Sequence, residues 1–168
     1  ILGVSKAYTT RVGEGPFPTE LDDEDGRAIG ERGHEFGTTT GRQRRTGWID
    51  LVALRYAARL SGFTEIALTK LDVLSGFTRV RLCTAYRTRE GEEIRDFPYH
   101  QSVFHNAAPV YEDMDGWSQD ITGCQDIDDL PPAARAYVKR ISDDIGVPIT
   151  LIGTGQGRHE VIDQVGSN

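Results

Sequence analysis

Residues 65–72, Glu-Ile-Ala-Leu-Thr-Lys-Leu-Asp, constrain the fold of this chain more than any other stretch. The run of Ile66, Ala67 and Leu68 is continuous and apolar, which is typical of a strand in a parallel sheet that is covered on both faces. The loop after such a strand lies at the carboxyl edge of the sheet, where open α/β folds bind ligands. The stretch therefore predicts an α/β fold with a ligand-facing loop directly after this strand.

The loop itself, Thr69-Lys70-Leu71-Asp72, has the Thr/Asn-Lys-x-Asp form with which many GTP-binding proteins recognise guanine. A fixed carboxylate can accept two parallel hydrogen bonds from the guanine N1–H and the N2 amine, whereas adenine offers no such pair of donors. The stem of the lysine can lie over the plane of the base. The alternative interpretation of so short a match is a surface loop that carries a charged pair.

A second informative stretch, Gly-Thr-Thr-Thr-Gly-Arg-Gln-Arg-Arg-Thr-Gly, occupies residues 37–47. Its glycines let the backbone approach a ligand closely and present N–H groups, and three arginines follow the hydroxyls within four residues. Arginine binds carboxylates and phosphates through two nitrogens at once. The stretch predicts a local anion site, and a mobile surface loop with solvated arginines is the alternative.

The composition limits the classes of partner. The 168 residues suit one domain with a real core, and a net charge of -7 argues against nucleic acid as a general partner. No apolar run approaches the 18 residues of a membrane span. Cys83 and Cys124 are expected to be reduced thiols in a cytoplasmic protein. The chain begins without Met in what resembles a strand already under way, which suggests a fragment or a processed piece.

Two helices are predicted from apolar periodicity. The first covers residues 48–61, with Asp50 in its first turn and Gly62 at its end. The second follows Pro131-Pro132 and carries an apolar stripe that ends near Gly146. The acids at 126–129 precede those prolines, so we interpret them as capping residues with no catalytic role.

The remaining elements are predicted from strand and turn signals. Residues 147–152 form a second buried-type strand that ends in Gly153-Thr154-Gly155-Gln156-Gly157-Arg158, again a ligand-facing loop. The other predictions are a strand at 4–10, a short exposed helix at 22–32 interrupted by Gly26 and Gly30, a strand at 80–86 pairing with 93–97 as a hairpin, and a third antiparallel strand at 109–114. Together they predict a mainly parallel sheet with flanking helices and a small antiparallel hairpin insertion.

Two other motifs are set aside. The Gly-x-Gly start at Gly153 resembles a dinucleotide fingerprint, but Arg158 stands where the third glycine belongs, and the ten residues that follow are too few to complete the unit. His100 and His105 lie five residues apart without a metal-binding pattern, so we expect surface or hydrogen-bonded core histidines rather than metal ligands.

Several long motifs, in order along the chain, resemble the C-terminal part of the adenylosuccinate synthetase family. They are Lys-Ala-Tyr-Thr-Thr-Arg-Val-Gly at 6–13, Gly-Pro-Phe-Pro-Thr-Glu at 15–20, residues 37–48, and Leu-Thr-Lys-Leu-Asp-Val-Leu at 68–74. The similarity extends with lower specificity through 109–112, 116–117 and 147–149 to the end of the chain. It therefore covers essentially all of residues 1–168, as one C-terminal segment of a larger P-loop-NTPase-like fold.

The resemblance implies a GTP-dependent ligase of purine synthesis that joins IMP and L-aspartate to give adenylosuccinate, GDP and phosphate. GTP phosphorylates the 6-oxygen of IMP, and the aspartate amine then displaces the phosphate. The residues that match the family's motifs divide into three implied sets. Aspartate would be bound by Thr38, Thr39, Thr40, Gly41, Arg42, Gln43 and Arg44; IMP by Val12 and Arg42; and GTP by Arg44, Lys70, Leu71, Asp72, Gly153, Thr154 and Gly155.

Two departures qualify what the resemblance implies. The family usually has proline where this chain has Gln156, so the last loop is expected to be less rigid. The chain also has no Gly-x-x-x-x-Gly-Lys phosphate loop and no Asp-His pair placed as base and acid. The resemblance assigns those groups and the Mg²⁺ ligands to the N-terminal portion, and it implies a cytoplasmic homodimer for the complete enzyme. We expect this segment to be inactive alone. A free-standing guanine-nucleotide-binding or regulatory module, or a stable fragment without binding, remains the alternative.

Overall fold

The computed structural model describes residues 1–39 and 41–164. Their contacts divide into two compact units. Unit 1 contains Ile1–Ala7, Leu54–Val80 and the described residues from 113 onward, and unit 2 contains the described residues of Tyr8–Ala53 and Arg81–Glu112.

The strands are β1 Leu2–Lys6, β2 Thr9–Arg11, β3 Arg45–Gly47, β4 Ile49–Asp50, β5 Glu65–Thr69, β6 Phe77–Arg87, β7 Glu93–Ile94, β8 Ala108–Trp117, β9 Ile149–Gly153 and β10 Val161–Asp163. The helices are α1 Glu24–Arg32, α2 Leu51–Ser61, α3 Gln101–His105 and α4 Pro132–Ile145.

Unit 1 is built on a four-stranded sheet in the order β1-β5-β9-β10. The strand predicted from the apolar run at 66–68 is β5, and it lies between β1 and β9, parallel to both. Ile66 and Leu68 are fully buried in it. The predicted strand at 147–152 is β9, which confirms the second parallel member. The α/β class with a mainly parallel sheet is therefore confirmed, although β10, antiparallel to β9, was not predicted.

The predicted strand at 4–10 is wrong as one element, because the chain leaves the parallel sheet at Ala7. The Ala7 N–H still donates to the Thr69 carbonyl at 2.8 Å. Its own carbonyl accepts a 2.7 Å hydrogen bond from the hydroxyl of Tyr137, a buried residue of α4. The Ala7 carbonyl is therefore already occupied by a side chain, and the pairing of β1 with β5 ends there.

Helix α4 confirms the predicted apolar stripe. Its buried residues are Ala134, Tyr137, Val138, Ile141 and Ile145, and Gly146 ends it in a left-handed conformation with φ of 68°. The acids before it do act as caps, but not of α4. Asp126 and Asp129 form a capping box on their own 3₁₀ turn, Ile127–Asp129, whereas α4 begins after Pro131 without a side-chain cap.

In unit 2, helix α1 corrects the prediction of an exposed, interrupted helix. It is continuous from Glu24 to Arg32, and Gly26, Ile29 and Gly30 are buried. A β-carbon at Gly26 would lie 2.2 Å from the Leu21 carbonyl oxygen, so this glycine allows close packing and does not break the helix. The hydroxyl of Thr46 donates to the Gly26 carbonyl at 2.8 Å and fixes the helix against β3.

The predicted helix at 48–61 starts later than expected. Ile49 and Asp50 form β4, parallel to Leu82 and Cys83 of β6. The buried Asp50 accepts a 3.0 Å hydrogen bond from the Ala53 N–H, so it caps α2 from outside the first turn.

The antiparallel hairpin is confirmed between β6 and β7, with Tyr86 opposite Ile94 and Arg87 opposite Glu93. β8 also pairs with β6, as the prediction of a third strand required. Val52, Cys83 and Tyr86 form the buried cluster beneath this sheet, and Phe97 and Phe104 pack against it.

Candidate functional site

The two loops of unit 1 that were predicted to face a ligand lie side by side because their strands, β5 and β9, are parallel neighbours. Leu68 of β5 pairs with Ile152 of β9, so the chain leaves both strands at the same edge of the sheet. A β-carbon at Gly153 would lie 3.3 Å from the Thr69 Cα and 3.5 Å from the Lys70 N. The structure thus brings the predicted segments 70–72 and 153–155 together, and Gly153 allows that close approach.

Lys70 stands at the point where β5 gives way to the loop. It adopts a left-handed conformation, φ 61° and ψ 34°, which few non-glycine residues occupy. The turn directs the chain into a 3₁₀ helix at Leu71–Leu74, whose buried members are Leu71, Val73 and Leu74. A left-handed conformation at a non-glycine residue is strained, and strained residues are common at ligand sites that the surrounding structure holds in place. Here the turn at Lys70 sets the direction in which the chain continues to Asp72.

The carboxyl group of Asp72 is half-buried, and one of its two oxygens accepts no hydrogen bond from the described residues. Its Oδ1 atom is buried and has no hydrogen-bond partner among residues 1–39 and 41–164. Burial raises the pKa of Asp72 above the ordinary value of 3.8. A backbone hydrogen bond and the charge of Lys70 act in the opposite direction, and the charges of Glu160 and Asp120 raise the pKa further. A ligand that donates hydrogen bonds to this oxygen would replace the lost water and favour the ionised carboxylate.

The loop after β9 is closed by Glu160, a residue that the sequence analysis did not assign. The Thr154 N–H donates to the Glu160 carbonyl at 2.9 Å, and the Glu160 Oε2 accepts a hydrogen bond from the Gly157 N–H. A β-carbon at Gly155 would lie 2.4 Å from the same oxygen. Thr154 is fully buried, and its Oγ1 has no hydrogen-bond partner within the described part of the chain. Each loop at this edge therefore holds a buried oxygen for which the described residues supply no hydrogen-bond partner.

The arginine-rich stretch belongs to unit 2, where it leads into β3. β3 pairs antiparallel with β2. In the loop before β3, Phe36 and Gln43 pair as an isolated antiparallel β-bridge. The Gly37 N–H donates to the Arg42 carbonyl at 2.8 Å, and Gly41 has φ of 65°, a value that favours glycine. The exposed residues of this loop are Thr38, Thr39, Gly41, Arg42 and Gln43. Thr40, also predicted to bind aspartate, lies outside the described residues.

Arg44 is held by a buried carboxylate. Its Nη1 donates to the Glu35 Oε2 at 2.9 Å, and its backbone N–H donates to the Glu35 carbonyl at 2.8 Å. The Glu35 side chain is fully buried, whereas that of Arg44 is 32% exposed. The other oxygen of Glu35 accepts a 2.6 Å hydrogen bond from the Tyr8 hydroxyl. Sequence reasoning missed Glu35 because one acid between His34 and Phe36 forms no pattern.

Arg45 pairs with an exposed carboxylate and fixes a neighbouring loop. Its Nε and Nη2 donate to the two Glu20 oxygens at 2.6 Å and 2.5 Å, and its Nη1 donates to the carbonyls of Gly13 and Gly15. The bidentate pair lowers the pKa of Glu20, chiefly through the side-chain hydrogen bond. Arg45 therefore fixes the 13–15 loop beside Val12, which is 78% exposed.

The described residues contain neither a candidate metal-binding cluster nor a helix that could span a membrane. Among residues 1–39 and 41–164, no group of three or more His, Cys, Asp or Glu side chains is placed to hold a metal ion. No helix in the described ranges has the length and hydropathy needed to span a bilayer.

The fold defines an α/β protein of the P-loop-NTPase-like kind, in which two adjacent loops follow parallel strands at the carboxyl edge of a mainly parallel sheet. The family model described as adenylosuccinate synthetase matches residues 1–162. The chain belongs to the adenylosuccinate synthetase family.

Named relatives and a solved structure agree with that assignment. The chain is 54% identical over 162 residues to adenylosuccinate synthetase of Desulfitobacterium hafniense and 53% identical over 163 residues to that of Streptomyces coelicolor. These alignments cover 96% and 97% of this chain and 38% of each relative. A structure of fully ligated adenylosuccinate synthetase from Plasmodium falciparum matches with a TM-score of 0.92 and 41% identity, over 96% of this chain and 39% of that one. The chain therefore spans well under half the length of these relatives.

Proposed function

We propose that this chain is the C-terminal segment of a GTP-dependent ligase that joins IMP and L-aspartate to form adenylosuccinate, with release of GDP and phosphate, in AMP synthesis. Family membership supports the activity. The order of the motifs at 6–13, 37–48 and 68–74 supports the C-terminal placement. The complete enzyme would act in the cytoplasm as a homodimer, and its Mg²⁺ would be bound by residues outside this chain.

The main support for the guanine assignment is the buried Asp72 Oδ1, which has no hydrogen-bond partner in the part of the chain that the structure describes. Guanine presents N1–H and the N2 amine as adjacent donors, so a carboxylate at this loop would accept both. The stem of Lys70 would lie along the base, and Leu71 would close the turn beneath it. Gly153, Thr154 and Gly155 would bound the opposite side, where the Thr154 hydroxyl is also without a partner among the described residues.

The anion loop of unit 2 would serve the other two substrates. Thr38, Thr39, Thr40, Gly41 and Gln43 would surround the aspartate carboxylates with hydroxyl and backbone donors, and Val12 would pack against the ribose of IMP. Arg42 would contact both aspartate and IMP, and Arg44 would reach aspartate and a GTP phosphate. The fork geometry of arginine supports these roles, because both partners present paired anionic oxygens.

A nuclear magnetic resonance titration of this chain with GDP, and separately with ADP, tests the guanine assignment. We expect GDP alone to shift the amides of 70–72 and 153–155. Asp72→Asn should remove the response, and Asp143→Asn, which changes an exposed acid paired with Lys139 on α4, should preserve it. Equal shifts with both nucleotides would remove guanine selectivity from this loop.

The isolated segment should not turn over substrates, because the phosphate loop and the Asp-His pair are expected in the remainder of the enzyme. A free-standing guanine-nucleotide module is the second candidate, and one observation favours it. Both loops of the proposed guanine site belong to unit 1, so the contacts with the guanine base would not depend on the arginine loop, although Arg44 would add a contact with a GTP phosphate. Adenylosuccinate formation from IMP, aspartate and GTP by this chain alone would contradict the prediction of inactivity.

A further inference from the structure

The Tyr8–Glu35–Arg44 cluster of unit 2 contains a buried carboxylate for which the proposed chemistry has no use. Glu35 is fully buried, a position that acids rarely occupy without partners. It accepts hydrogen bonds from the Tyr8 hydroxyl at 2.6 Å and from Arg44 Nη1 at 2.9 Å. Gly33 makes room for this arrangement, since a β-carbon there would lie 2.3 Å from the Tyr8 oxygen.

The way Glu35 holds Arg44 decides which part of the guanidinium faces outward. A guanidinium has five N–H donors, and its Nε–Nη2 edge can bind a carboxylate or phosphate through two parallel hydrogen bonds. Glu35 contacts only Nη1. Within residues 1–39 and 41–164, the Nε and Nη2 of Arg44 have no hydrogen-bond partner, and the side chain is 32% exposed.

Arg45, the next residue, provides the contrast. Its Nε and Nη2 both donate to the carboxylate of Glu20, which is the bidentate arrangement that Arg44 lacks. Glu20 is an exposed acid with both oxygens directed at one guanidinium. In Glu35, the two oxygens are directed at different donors, Oε1 at the Tyr8 hydroxyl and Oε2 at Arg44 Nη1.

We propose that Tyr8 and Glu35 are positioning residues that hold Arg44 by one nitrogen, so that its Nε–Nη2 edge presents two parallel donors to a substrate carboxylate or phosphate. The proposal rests on the proposed function for the identity of the anion, but its geometry does not. Tyr8→Phe would remove the hydrogen bond that directs the Glu35 Oε1 away from Arg44, and the carboxylate could then turn to accept from a second nitrogen of Arg44. The ligand-facing edge would be lost although all charges remain.

The test follows the Nε–H resonances of Arg44 and Arg45 in this chain during titration with L-aspartate and, separately, with inorganic phosphate. In the unaltered chain we expect the Arg44 signal to move and the Arg45 signal, fixed by Glu20, to stay. Tyr8→Phe should weaken the anion response roughly tenfold, as for the loss of one hydrogen bond to a charged group.

Tyr86→Phe is the matched control, because the Tyr86 hydroxyl donates to the buried carboxylate of Asp50, also in unit 2. It removes the same atom from an equivalent pair and should leave the anion response of Arg44 unchanged. Glu35→Gln, which keeps the shape of the side chain but weakens its hold on Nη1, should also reduce the response, with a broadened Arg44 Nε–H signal.

The outcomes separate this inference from the proposed function. A response of Arg44 to phosphate but not to aspartate supports the positioning geometry and counts against the aspartate assignment. No response to either anion, or equal losses in Tyr8→Phe and Tyr86→Phe, would overturn the positioning role, whatever the guanine titration shows.

Discussion

Replacing Arg44 with leucine should cost stability as well as binding, because Arg44 neutralises a buried charge. In Arg44→Leu, the Glu35 carboxylate stays fully buried and loses its 2.9 Å partner. Removing one member of a buried ion pair generally costs 3–5 kcal/mol, since the remaining charge is left in a poorly solvated place. The Arg44 side chain is about one-third exposed and the Tyr8 hydroxyl remains. We therefore expect a loss of roughly 2–3 kcal/mol, below the usual range.

Arg89→Leu, in the turn between β6 and β7 of the same unit, is the matched control. Arg89 is exposed, and substitutions at such surface positions usually change stability by less than about 0.5 kcal/mol. Both variants replace one arginine with leucine and change the net charge equally. Arg44→Leu should destabilise the fold and Arg89→Leu should not, so the pair separates the loss of the contact with Glu35 from the loss of a positive charge.

Thermal and urea unfolding of the chain measures the difference. For a chain of this size, 1 kcal/mol corresponds to a shift of roughly 2–4 °C in Tm, so Arg44→Leu should unfold about 5–10 °C lower. The double variant Glu35→Gln with Arg44→Leu should recover part of the loss, because no buried charge is then left unpaired. If Arg44→Leu and Arg89→Leu unfold at the same temperature, Arg44 does not stabilise the buried charge of Glu35.

Three further predictions concern single positions. Because burial raises the pKa of Asp72 above 3.8 and only the carboxylate accepts both guanine donors, GDP affinity should fall as pH is lowered through that pKa, and a pH-independent affinity would exclude Asp72. Gly155→Ala should displace the Glu160 carboxylate and weaken GDP binding with little change in Tm, whereas unchanged binding would show that the loop tolerates the shift. Gly47→Ala should destabilise the chain by about 3 kcal/mol or more, since its β-carbon would lie 2.0 Å from the Thr19 carbonyl oxygen, and urea unfolding measures this directly.

The elements predicted well are those whose signal is local. β5 and β9 follow from continuous apolar runs, and α4 follows from a stripe with 3.6-residue spacing between Pro132 and Gly146. Parallel strands end at the same edge of a sheet. This rule predicted that the loops after β5 and β9, at 70–72 and 153–155, lie next to each other.

The wrong predictions arose where distant residues decide the conformation. Gly26 suggested a helix break, but it is buried against the Leu21 carbonyl, and only the tertiary contact shows why a glycine is needed. The strand predicted at 4–10 ends early because Tyr137, far along the chain, bonds to the Ala7 carbonyl.

The candidate site shows the same division. The Thr-Lys-Leu-Asp motif gave Asp72 from the sequence, but the absence of a partner for its Oδ1 among the described residues is visible only in three dimensions. Arg44 and Arg45 are chemically identical neighbours in the sequence. Their partners differ. The buried Glu35 contacts Nη1 of Arg44 and leaves its Nε–Nη2 edge facing outward, whereas the exposed Glu20 binds both Nε and Nη2 of Arg45. Residue type predicted an anion site, and the partners decide which arginine can serve it.

The guanine assignment is tested most directly by the amide titration of this chain with GDP against ADP. We expect shifts at 70–72 and 153–155 with GDP only, because the Asp72 Oδ1, which has no partner among the described residues, matches the paired donors of guanine. A folded chain in which GDP moves neither loop, or in which ADP moves both to the same extent, would contradict the assignment of this sheet edge to guanine.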